Sequence, residues 1–340
     1  MVHMLEKYFK LKDHGTTVRT EVTAGLTTFL TMAYIVVVNP AILHSAGVPF
    51  EQVFMATVIA AVVGSLMMGL FANYPIAIAP GMGLNAYFAS VVATQGVSYQ
   101  VVFAAVFLAG VLFMALSLTN IRETLINEIP DSLKFGITAG IGLFIAFVGL
   151  KNSGLVVPNE ATVIGMGDLT EPMVMLTLAG LFITLALYVL KIKGALFWGM
   201  VITGIIAYFT GHIQFDRVIA TPPAPVFFDL DIAGVFTHGL YSVVIAFLLV
   251  TLFDTTGTLI GVAEQGGLMK NGHLPRSKQA LFADATATTV GSMFGTSPST
   301  AYIESSSGVA AGGRTGLTAV VVAGLFILSI FFTPIISVVA

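Results

Sequence analysis

The chain has 340 residues, of which 56% are hydrophobic and only 9% are charged, and its formal net charge is −3. Soluble globular proteins carry about 25% charged residues, so the charged side chains here are too few to cover a water-exposed surface, and most of the surface must face lipid. The chain has no Cys and no basic cluster, which excludes disulfides and thiol chemistry and argues against a nucleic-acid partner.

Apolar windows of about 20 residues, the length that crosses a bilayer as a helix, recur along the chain. They predict an all-α polytopic membrane protein with eleven spans, of which the third and the tenth are broken by Gly, Pro and polar residues. The predicted spans are 23–43, 53–71, 76–95, 101–118, 133–150, 173–190, 195–210, 240–262, 279–294, 297–312 and 317–339. The longest outer connection, 212–239, is expected to be irregular with a short interfacial helix.

The distribution of Lys and Arg predicts a cytoplasmic N-terminus, because basic residues concentrate on the cytoplasmic side of membrane proteins. With that orientation, twelve basic residues are cytoplasmic and two are not. The cytoplasmic set is Lys7, Lys10, Lys12, Arg19, Arg122, Lys134, Lys191, Lys193, Lys270, Arg276, Lys278 and Arg314, and the outer set is Lys151 and Arg217. All six His lie in loops or at membrane borders, so neither a metal centre nor an imidazole proton relay is expected.

Polar residues at membrane depth occur in four places: Asn39-Pro40, residues 79–88, residues 254–258 and residues 295–308. Acids inside a membrane usually face cavities or partners and mark the path of an ion or a substrate. Asp254 and Glu304 lie among Gly, Ser and Thr, which favours such a role over simple helix packing. Asp284 lies in the sequence ADATATT, where packing and function are equally favoured.

The two broken segments resemble each other, since each has extended residues, a Pro, small residues and then a short helix. Pro80 and Pro298 suit the first position of a helix that begins inside the membrane. Broken helices in corresponding positions of two halves indicate the midplane site of a transporter. Glu304, Gly308 and Gly312 share a helix face, which offers a carboxylate beside a smooth surface for a flat ligand. In the eighth span, Gly257 and Gly261 have the spacing of a helix-packing pair.

Four motifs carry a resemblance to a known family: EVTAGLTTFLTMAYIVVVNP, APGMGLNAYF, LFDTTGTLIGVAEQGGL and TSPSTAYIESSSGVAAGGRTG. They resemble the nucleobase–cation symporters, in particular the AzgA-like hypoxanthine, guanine and adenine permeases, with uracil and xanthine permeases as more distant relatives. The resemblance implies a uracil-permease-like fold of fourteen spans in two inverted repeats of seven. Uracil-type relatives place a His in the membrane, and its lack here favours the purine branch.

The family plan implies a division of the chain into two domains. Residues 1–118 and 240–340 would form a core domain, and residues 119–239 would form the first part of a gate domain. About eleven of the fourteen spans would then be present. The chain ends near the close of the eleventh span, so we expect it to be a fragment that lacks the last gate helices.

The resemblance also implies a substrate site between the third, eighth and tenth spans. The implied substrate-binding residues are Gly83, Asn85, Asp254 and Glu304, with Phe88 and Tyr302 as candidates for stacking or for plain packing. Asp254, Glu304 and, with less support, Asp284 are the candidates for proton coupling. Asp254 is the expected proton carrier because the hydroxyls of its Thr neighbours can solvate either protonation state, whereas a half-helix N-terminus favours negative charge on Glu304.

The leading functional prediction is therefore uptake of a purine nucleobase across the cytoplasmic membrane by proton-coupled symport, without a cofactor or a metal. Four alternatives remain, one of which is a membrane receptor that binds a ligand without transporting it. A uracil or xanthine permease would have the same arrangement of spans. An anion transporter of the same fold is disfavoured, because two carboxylates in one cavity would repel an anion. A membrane enzyme would have only an acid pair to work with. The sequence leaves open whether H⁺ or Na⁺ is the coupling ion, and whether the chain forms a homodimer in the lipid.

Overall fold

The computed structural model describes residues 2–119, 131–214, 218–270 and 273–339. Within these ranges, six helical stretches are long and apolar enough to cross a membrane. Shorter or less apolar helices occupy the other predicted spans, and the third and tenth spans are broken as expected. The prediction of a polytopic α-helical membrane protein is confirmed. Arg122 and Arg217, two of the residues used to orient the chain, lie outside the described residues.

The helices and strands follow one another in this order. The helices are α1 (Val2–Phe9), α2 (Val18–Met32), α3 (Ile35–Ser45), α4 (Phe50–Met67), α5 (Met82–Gln95), α6 (Tyr99–Ser117), α7 (Asp131–Asn152), α8 (Pro172–Val189), α9 (Ala195–Phe209), α10 (Ile232–Thr237), α11 (Tyr241–Gln265), α12 (Ser277–Phe294), α13 (Ser305–Ala310), α14 (Gly316–Ser329) and α15 (Thr333–Val339). The strands are β1 (Ile78–Pro80), β2 (Val156–Asn159), β3 (Val163–Met166) and β4 (Ser299–Ala301).

The first span differs from the prediction because it is interrupted between α2 and α3, at Ala33 and Tyr34. The Thr31 hydroxyl donates to the Thr28 carbonyl oxygen, 2.8 Å away. Such hydrogen bonds from Ser or Thr to the preceding turn bend helices. The interruption turns the Tyr34 side chain inward, where it is 4% exposed.

Two connections on the predicted outer side have structure of their own. Strands β2 and β3 form an antiparallel hairpin between α7 and α8, which the hydropathy pattern does not predict. The connection before α11 is irregular and contains the short helix α10, as expected. The Asp231 carboxylate caps α10 by accepting from the Gly234 N–H at 2.8 Å.

Helix α12 lies between α4 and α6 at the centre of the fold, and α14 packs along α2. Small residues allow the close approach, because a Cβ at Gly64 would clash with Ala287 of α12. Helices α8 and α9 pack chiefly on each other, and Gly180 and Gly199 each face a Thr of the other helix. Small residues at helix interfaces are typical of membrane proteins.

A buried carboxylate that the sequence analysis did not single out caps α14. Glu21 of α2 has no exposed surface and accepts from the Thr318 hydroxyl at 2.6 Å and from the Arg314 N–H at 2.9 Å. Asn73 accepts from the Gly316 N–H at 2.7 Å in the same turn. An acid at a helix N-terminus satisfies free N–H groups and interacts favourably with the helix dipole. Glu21 therefore joins the first and the eleventh spans.

His14, in the loop between α1 and α2, makes the stability of the fold depend on pH. Partial burial lowers the pKa of His14 below its ordinary value of 6.5, and the nearby Arg276 lowers this pKa further. The unfolded chain therefore binds more protons than the folded chain just below pH 6.5, so stability is present above that pH and falls with acidification through the lowered pKa.

We expect His14→Gln to flatten the fall of the melting temperature between about pH 7 and about pH 5. The measurement is thermal unfolding of the purified protein in detergent. His3→Gln is the matched control, because the His3 side chain is 92% exposed. An equally steep pH dependence in His14→Gln would contradict the assignment.

Candidate functional site

The two broken segments meet in the interior as an antiparallel pair of strands, β1 and β4. The paired residues are Ile78 with Ala301, Ala79 with Thr300, and Pro80 with Ser299. The pair is extended at one end by the Gly81 N–H, which donates to the Pro298 carbonyl oxygen at 2.8 Å. At the other end, the Tyr302 N–H donates to the Ala77 carbonyl oxygen at 3.0 Å. All six paired residues are buried, so the pairing supplies main-chain partners where water is absent.

Each strand leads into a helix, the 14-residue α5 after β1 and the 6-residue α13 after β4. The antiparallel pairing relates the two units in the way that an inverted repeat requires. The prediction that Pro80 and Pro298 begin these helices is wrong. Pro80 is the last residue of β1, and Pro298 immediately precedes β4. Proline is tolerated in such a pair at positions that need no N–H donor. Helix α5 begins instead after Gly81, and α13 begins after Glu304.

Asp254 lies in the middle of α11, beside β4, and its side chain is exposed. The Thr300 side chain of β4 lies beside the Asp254 carboxylate. The same face of α11 carries Gly257 and Gly261, where an added Cβ would meet nothing within 4 Å. The expectation that these glycines pack against a helix is therefore not met within the described residues. An exposed acid at membrane depth requires a cavity rather than lipid, so this face of α11 fronts an open space.

Glu304 follows β4 and is partly buried. The Tyr34 hydroxyl donates to Glu304 Oε1 at 2.5 Å. One turn away, Thr31 Oγ1 and Ser307 Oγ are 2.9 Å apart. Asp254 is close enough to Glu304 for their charges to repel each other. The structure thus brings the two predicted acids together at β4.

Asp284 lies on α12, behind the strand pair, and has no exposed surface. The Thr255 hydroxyl donates to Asp284 Oδ2 at 2.6 Å, and Thr255 Oγ1 accepts from the Ala301 N–H at 3.3 Å. Asp284 Oδ1 has no hydrogen-bond partner among the described residues. Asp284 therefore supports the junction of α11, α12 and β4 and does not reach the open space.

Asn39 forms the centre of a buried hydrogen-bond network beside the strand pair. Its amide nitrogen donates to Thr57 Oγ1 at 2.7 Å and to Thr296 Oγ1 at 2.8 Å. Its amide oxygen accepts from Asn85 Nδ2 at 3.1 Å and from Ser297 Oγ at 3.3 Å. Two donors and two acceptor sites are all that an Asn side chain has. Asn39 is thus fully satisfied and joins the third, fourth and fifth helices to the segment before β4.

The remaining predicted residues differ in their access to the open space. Asn85 and Phe88 have no exposed surface, and the Phe88 ring packs 4.8 Å from the Phe103 ring. Tyr302 is 5% exposed and donates its hydroxyl to the Pro80 carbonyl oxygen at 2.5 Å. Gly83, in the first turn of α5, is partly exposed. Asn85, Phe88 and Tyr302 therefore hold the frame of the strand pair, whereas Gly83 presents main chain to solvent.

The smooth face predicted around Gly308 is wrong as a surface for a ligand. A Cβ at Gly308 would clash with Thr28, and one at Gly312 would clash with Thr20, so both glycines face α2. The lack of side chains lets α13 approach the first span closely, which is the usual role of glycine between membrane helices.

Two residues beside the acids, Tyr34 and Thr300, are not singled out by the sequence, although Thr300 lies within the polar segment 295–308. Each has a polar side chain at membrane depth, which is the signal that identified Asp254. Tyr34 was not recognised as a site residue, because an aromatic residue in an apolar span usually packs in the protein core. Its partner Glu304 lies 270 residues further along the chain.

Comparison with known proteins agrees with this arrangement. A model of the permease family, that of the xanthine/uracil permeases, matches residues 19–340. The chain is 58% identical over 340 residues to the guanine/hypoxanthine permease PbuO of Bacillus subtilis, covering 97% of this chain and 78% of that protein. It is 49% identical over 336 residues to the adenine permease AdeP of Escherichia coli, covering 98% and 76%.

Among solved structures, the transmembrane domain of the cyanobacterium bicarbonate transporter BicA has the same fold, with a TM-score of 0.70 at 16% identity. The match covers 94% of this chain and 86% of that one. Multi-pass architecture, paired broken spans and a family match over nearly the whole chain agree with one another and make this a transporter rather than an enzyme. The chain belongs to the xanthine/uracil permease family.

Proposed function

We propose that the chain takes up purine nucleobases across the cytoplasmic membrane by proton-coupled symport. The observation that carries the proposal is the carboxylate pair of Asp254 and Glu304, placed at the open side of the strand pair. Relatives named guanine/hypoxanthine and adenine permeases support the choice of substrate class.

The chemistry of the site fits the edge of a purine. An ionised carboxylate only accepts hydrogen bonds, so Glu304 suits a ring N–H. The first N–H groups of a helix have no partner within it, so the main chain at Gly83 suits a carbonyl oxygen or a ring nitrogen of the ligand. Asn85, Phe88 and Tyr302 support these groups from behind.

We further propose that transport moves two domains relative to each other. Residues 1–118 and 240–340 form the core domain, and residues 119–239 belong to the gate domain. The strand pair, the Asn39 network and the Glu21 cap all join the two parts of the core domain. Helices α8 and α9 pack chiefly on each other, which supports a separate gate domain.

An anion transporter of the same fold is less well supported, even though the similar BicA structure is a bicarbonate transporter. Asp254 and Glu304 are both acidic, and the charges of two carboxylates repel an anion that approaches the same cavity. A neutral nucleobase meets no such repulsion.

Uptake into cells that lack nucleobase permeases and express the chain tests the function. Labelled hypoxanthine, guanine, adenine, xanthine, uracil and bicarbonate form the panel, with and without a protonophore and with Na⁺ replaced by choline. We expect purine accumulation that the protonophore abolishes and choline leaves unchanged. Uptake of uracil or bicarbonate alone would contradict the purine assignment, and dependence on Na⁺ would contradict proton coupling.

Asp254→Asn is expected to separate binding from coupling. The variant should still exchange labelled purine across proteoliposome membranes, but accumulation driven by a pH gradient should fall to the level without a gradient, because Asn cannot bind and release a proton. Asp13→Asn, on the exposed loop after α1, is the control. If Asp254→Asn still accumulates purine while Glu304→Gln binds purine and cannot accumulate it, the two roles are reversed.

We also propose that the N-terminus is cytoplasmic, and labelling of single cysteines tests this orientation. The chain has no Cys of its own. Cysteines at the exposed positions Ser45 and Thr162 should react with an impermeant reagent added outside intact cells, and one at Lys270 should react only after lysis. The opposite pattern would contradict the orientation.

A further inference from the structure

We propose that helix α1 lies along the membrane surface and binds anionic phospholipids through an exposed apolar pair and three lysines. The apolar pair is Met4 and Tyr8, and the lysines are Lys7, Lys10 and Lys12. This inference concerns a lipid surface and stands apart from the proposed purine transport.

The apolar side of α1 is only half covered by the described residues. Leu5 and Phe9 lie one turn apart and turn inward, where Phe9 is 2% exposed and packs with Leu317 of α14. Met4 and Tyr8 are also one turn apart, on the adjoining part of the helix surface, yet they are 70% and 57% exposed. Large apolar side chains left in water cost free energy, so this pair requires a further partner.

The position of α1 identifies lipid as that partner. The helix precedes the first membrane-spanning stretch, Val18–Ser45, and the Tyr8 hydroxyl donates to the Leu70 carbonyl oxygen at 3.0 Å. Leu70 is near the end of the second stretch, Phe50–Ala72, where Leu70 and Phe71 are 40% and 62% exposed. One span starts and another ends beside α1, so the helix lies at the border of the membrane. Tyr is common there because its ring is apolar and its hydroxyl is polar.

The charges of this segment indicate which lipid headgroups it meets. Residues 3–14 carry three exposed basic side chains, those of Lys7, Lys10 and Lys12. The acids of the same segment are Glu6 and Asp13, and in the part of the chain that the structure describes the one side-chain ion pair joins His3 to Glu6 at 3.7 Å. The lysines therefore have no acidic partner within the described residues. Lysines at a membrane border extend their charged ends to the headgroups, and anionic lipids attract such basic segments.

A second copy of the chain fits the exposed apolar surface less well. A stable protein interface buries about 800 Å² on each partner, an area that four side chains cannot supply; they are Met4, Tyr8, Leu70 and Phe71. An amphipathic helix at a membrane surface needs no minimum area, because lipid closes around the apolar side chains that it presents and the headgroups add electrostatic attraction. A lipid surface is therefore the occupant that matches the size, position and charge of α1.

The first test measures whether α1 enters a bilayer of known composition. The chain has no Cys of its own, so Met4→Cys and His3→Cys can each carry an environment-sensitive fluorophore at a single site. The labelled proteins are placed in nanodiscs of phosphatidylcholine and phosphatidylglycerol with brominated acyl chains. We expect strong quenching at Met4→Cys and little at His3→Cys, because successive residues of a helix point in different directions and the His3 side chain is 92% exposed. Equal quenching at the two positions, or none at Met4→Cys, would overturn the proposal.

The second test measures the preference for anionic lipid. Bromine is placed on only one of the two lipids, and quenching of labelled Met4→Cys by brominated phosphatidylglycerol is compared with quenching by brominated phosphatidylcholine. We expect phosphatidylglycerol to be favoured at low salt, and Lys7→Gln to lower that preference about fivefold. Lys151→Gln, which removes an exposed charge at the end of α7, is the matched control and should leave the preference unchanged.

Two results of the second test would contradict the lipid assignment. Equal quenching by the two lipids, or an equal loss of preference in Lys7→Gln and Lys151→Gln, would show that the lysines of α1 do not recognise headgroups and would overturn the proposal. Quenching of labelled Met4→Cys that changes with the number of copies in each nanodisc would assign the exposed surface to a second copy and overturn it as well.

Discussion

Glu304→Gln is expected to reduce purine uptake about 10-fold to 100-fold while the protein still reaches the membrane, since hydrogen bonds to charged groups contribute about 1.5–3 kcal/mol. Gln has nearly the volume of Glu, but its NH₂ group presents donors where the carboxylate only accepts. A ring N–H would then face either a weaker acceptor or another donor. Tyr34 would also lose its charged partner.

The measurement is initial uptake of labelled hypoxanthine, normalised to the amount of protein in the membrane. Glu264→Gln is the control, because Glu264 is an exposed acid near the end of α11 and undergoes the same chemical change. Near-normal uptake by Glu304→Gln would mean that Glu304 is structural and that the ligand is read by other residues. A loss of similar size in Glu264→Gln would mean that the effect is not specific to the site.

Asn39→Leu is expected to destabilise the fold by at least about 4 kcal/mol, the largest stability effect predicted for a single residue here. Leucine fills nearly the same volume but leaves Thr57, Thr296, Ser297 and Asn85 without the partner that Asn39 provides. Each buried polar group that loses its partner costs about 1–3 kcal/mol. The melting temperature in detergent and the yield of folded protein should both fall sharply.

Gln52→Leu provides a matched control for Asn39→Leu. Gln52 is also a buried amide, 5% exposed, but its Nε2 has no hydrogen-bond partner among the described residues. Replacing an unsatisfied polar group by an apolar one of similar size costs little, so this variant should melt near the temperature of the unmodified chain. Equal losses in the two variants would show that the Asn39 network is not what stabilises this region.

The sequence reveals features that are local along the chain. Runs of apolar residues mark the spans, Gly and Pro interrupt the third and tenth of them, and an acid such as Asp254 is conspicuous in an apolar segment. These signals need no knowledge of distant residues. They were sufficient to predict the membrane class and the broken spans, and they single out Asp254 and Glu304 as candidate site residues.

Features that depend on distant partners could not be read in the same way. The Tyr34–Glu304 bond and the Glu21 cap join residues at opposite ends of the chain, and neither has a local signature. Gly308 was expected to line a surface for a ligand, but it packs against α2. Both roles require a residue without a side chain, so the sequence does not distinguish them. Phe88 shows the same limit, since an aromatic residue near a site either faces a ligand or fills the core.

The pairing of β1 with β4 also has a consequence for biosynthesis. Residues 78–80 emerge from the ribosome long before residues 299–301, their only main-chain partners in the strand pair. Ser65 of α4 bonds the N–H and C=O groups of Ile78. Other unpaired N–H and C=O groups cost several kcal/mol each in the hydrocarbon core, so we expect β1 to reach its final, fully paired state only after the tenth span is inserted. We therefore expect the first half of the chain to wait in a hydrated or chaperoned state during synthesis, and integration to be completed late and in one cooperative step.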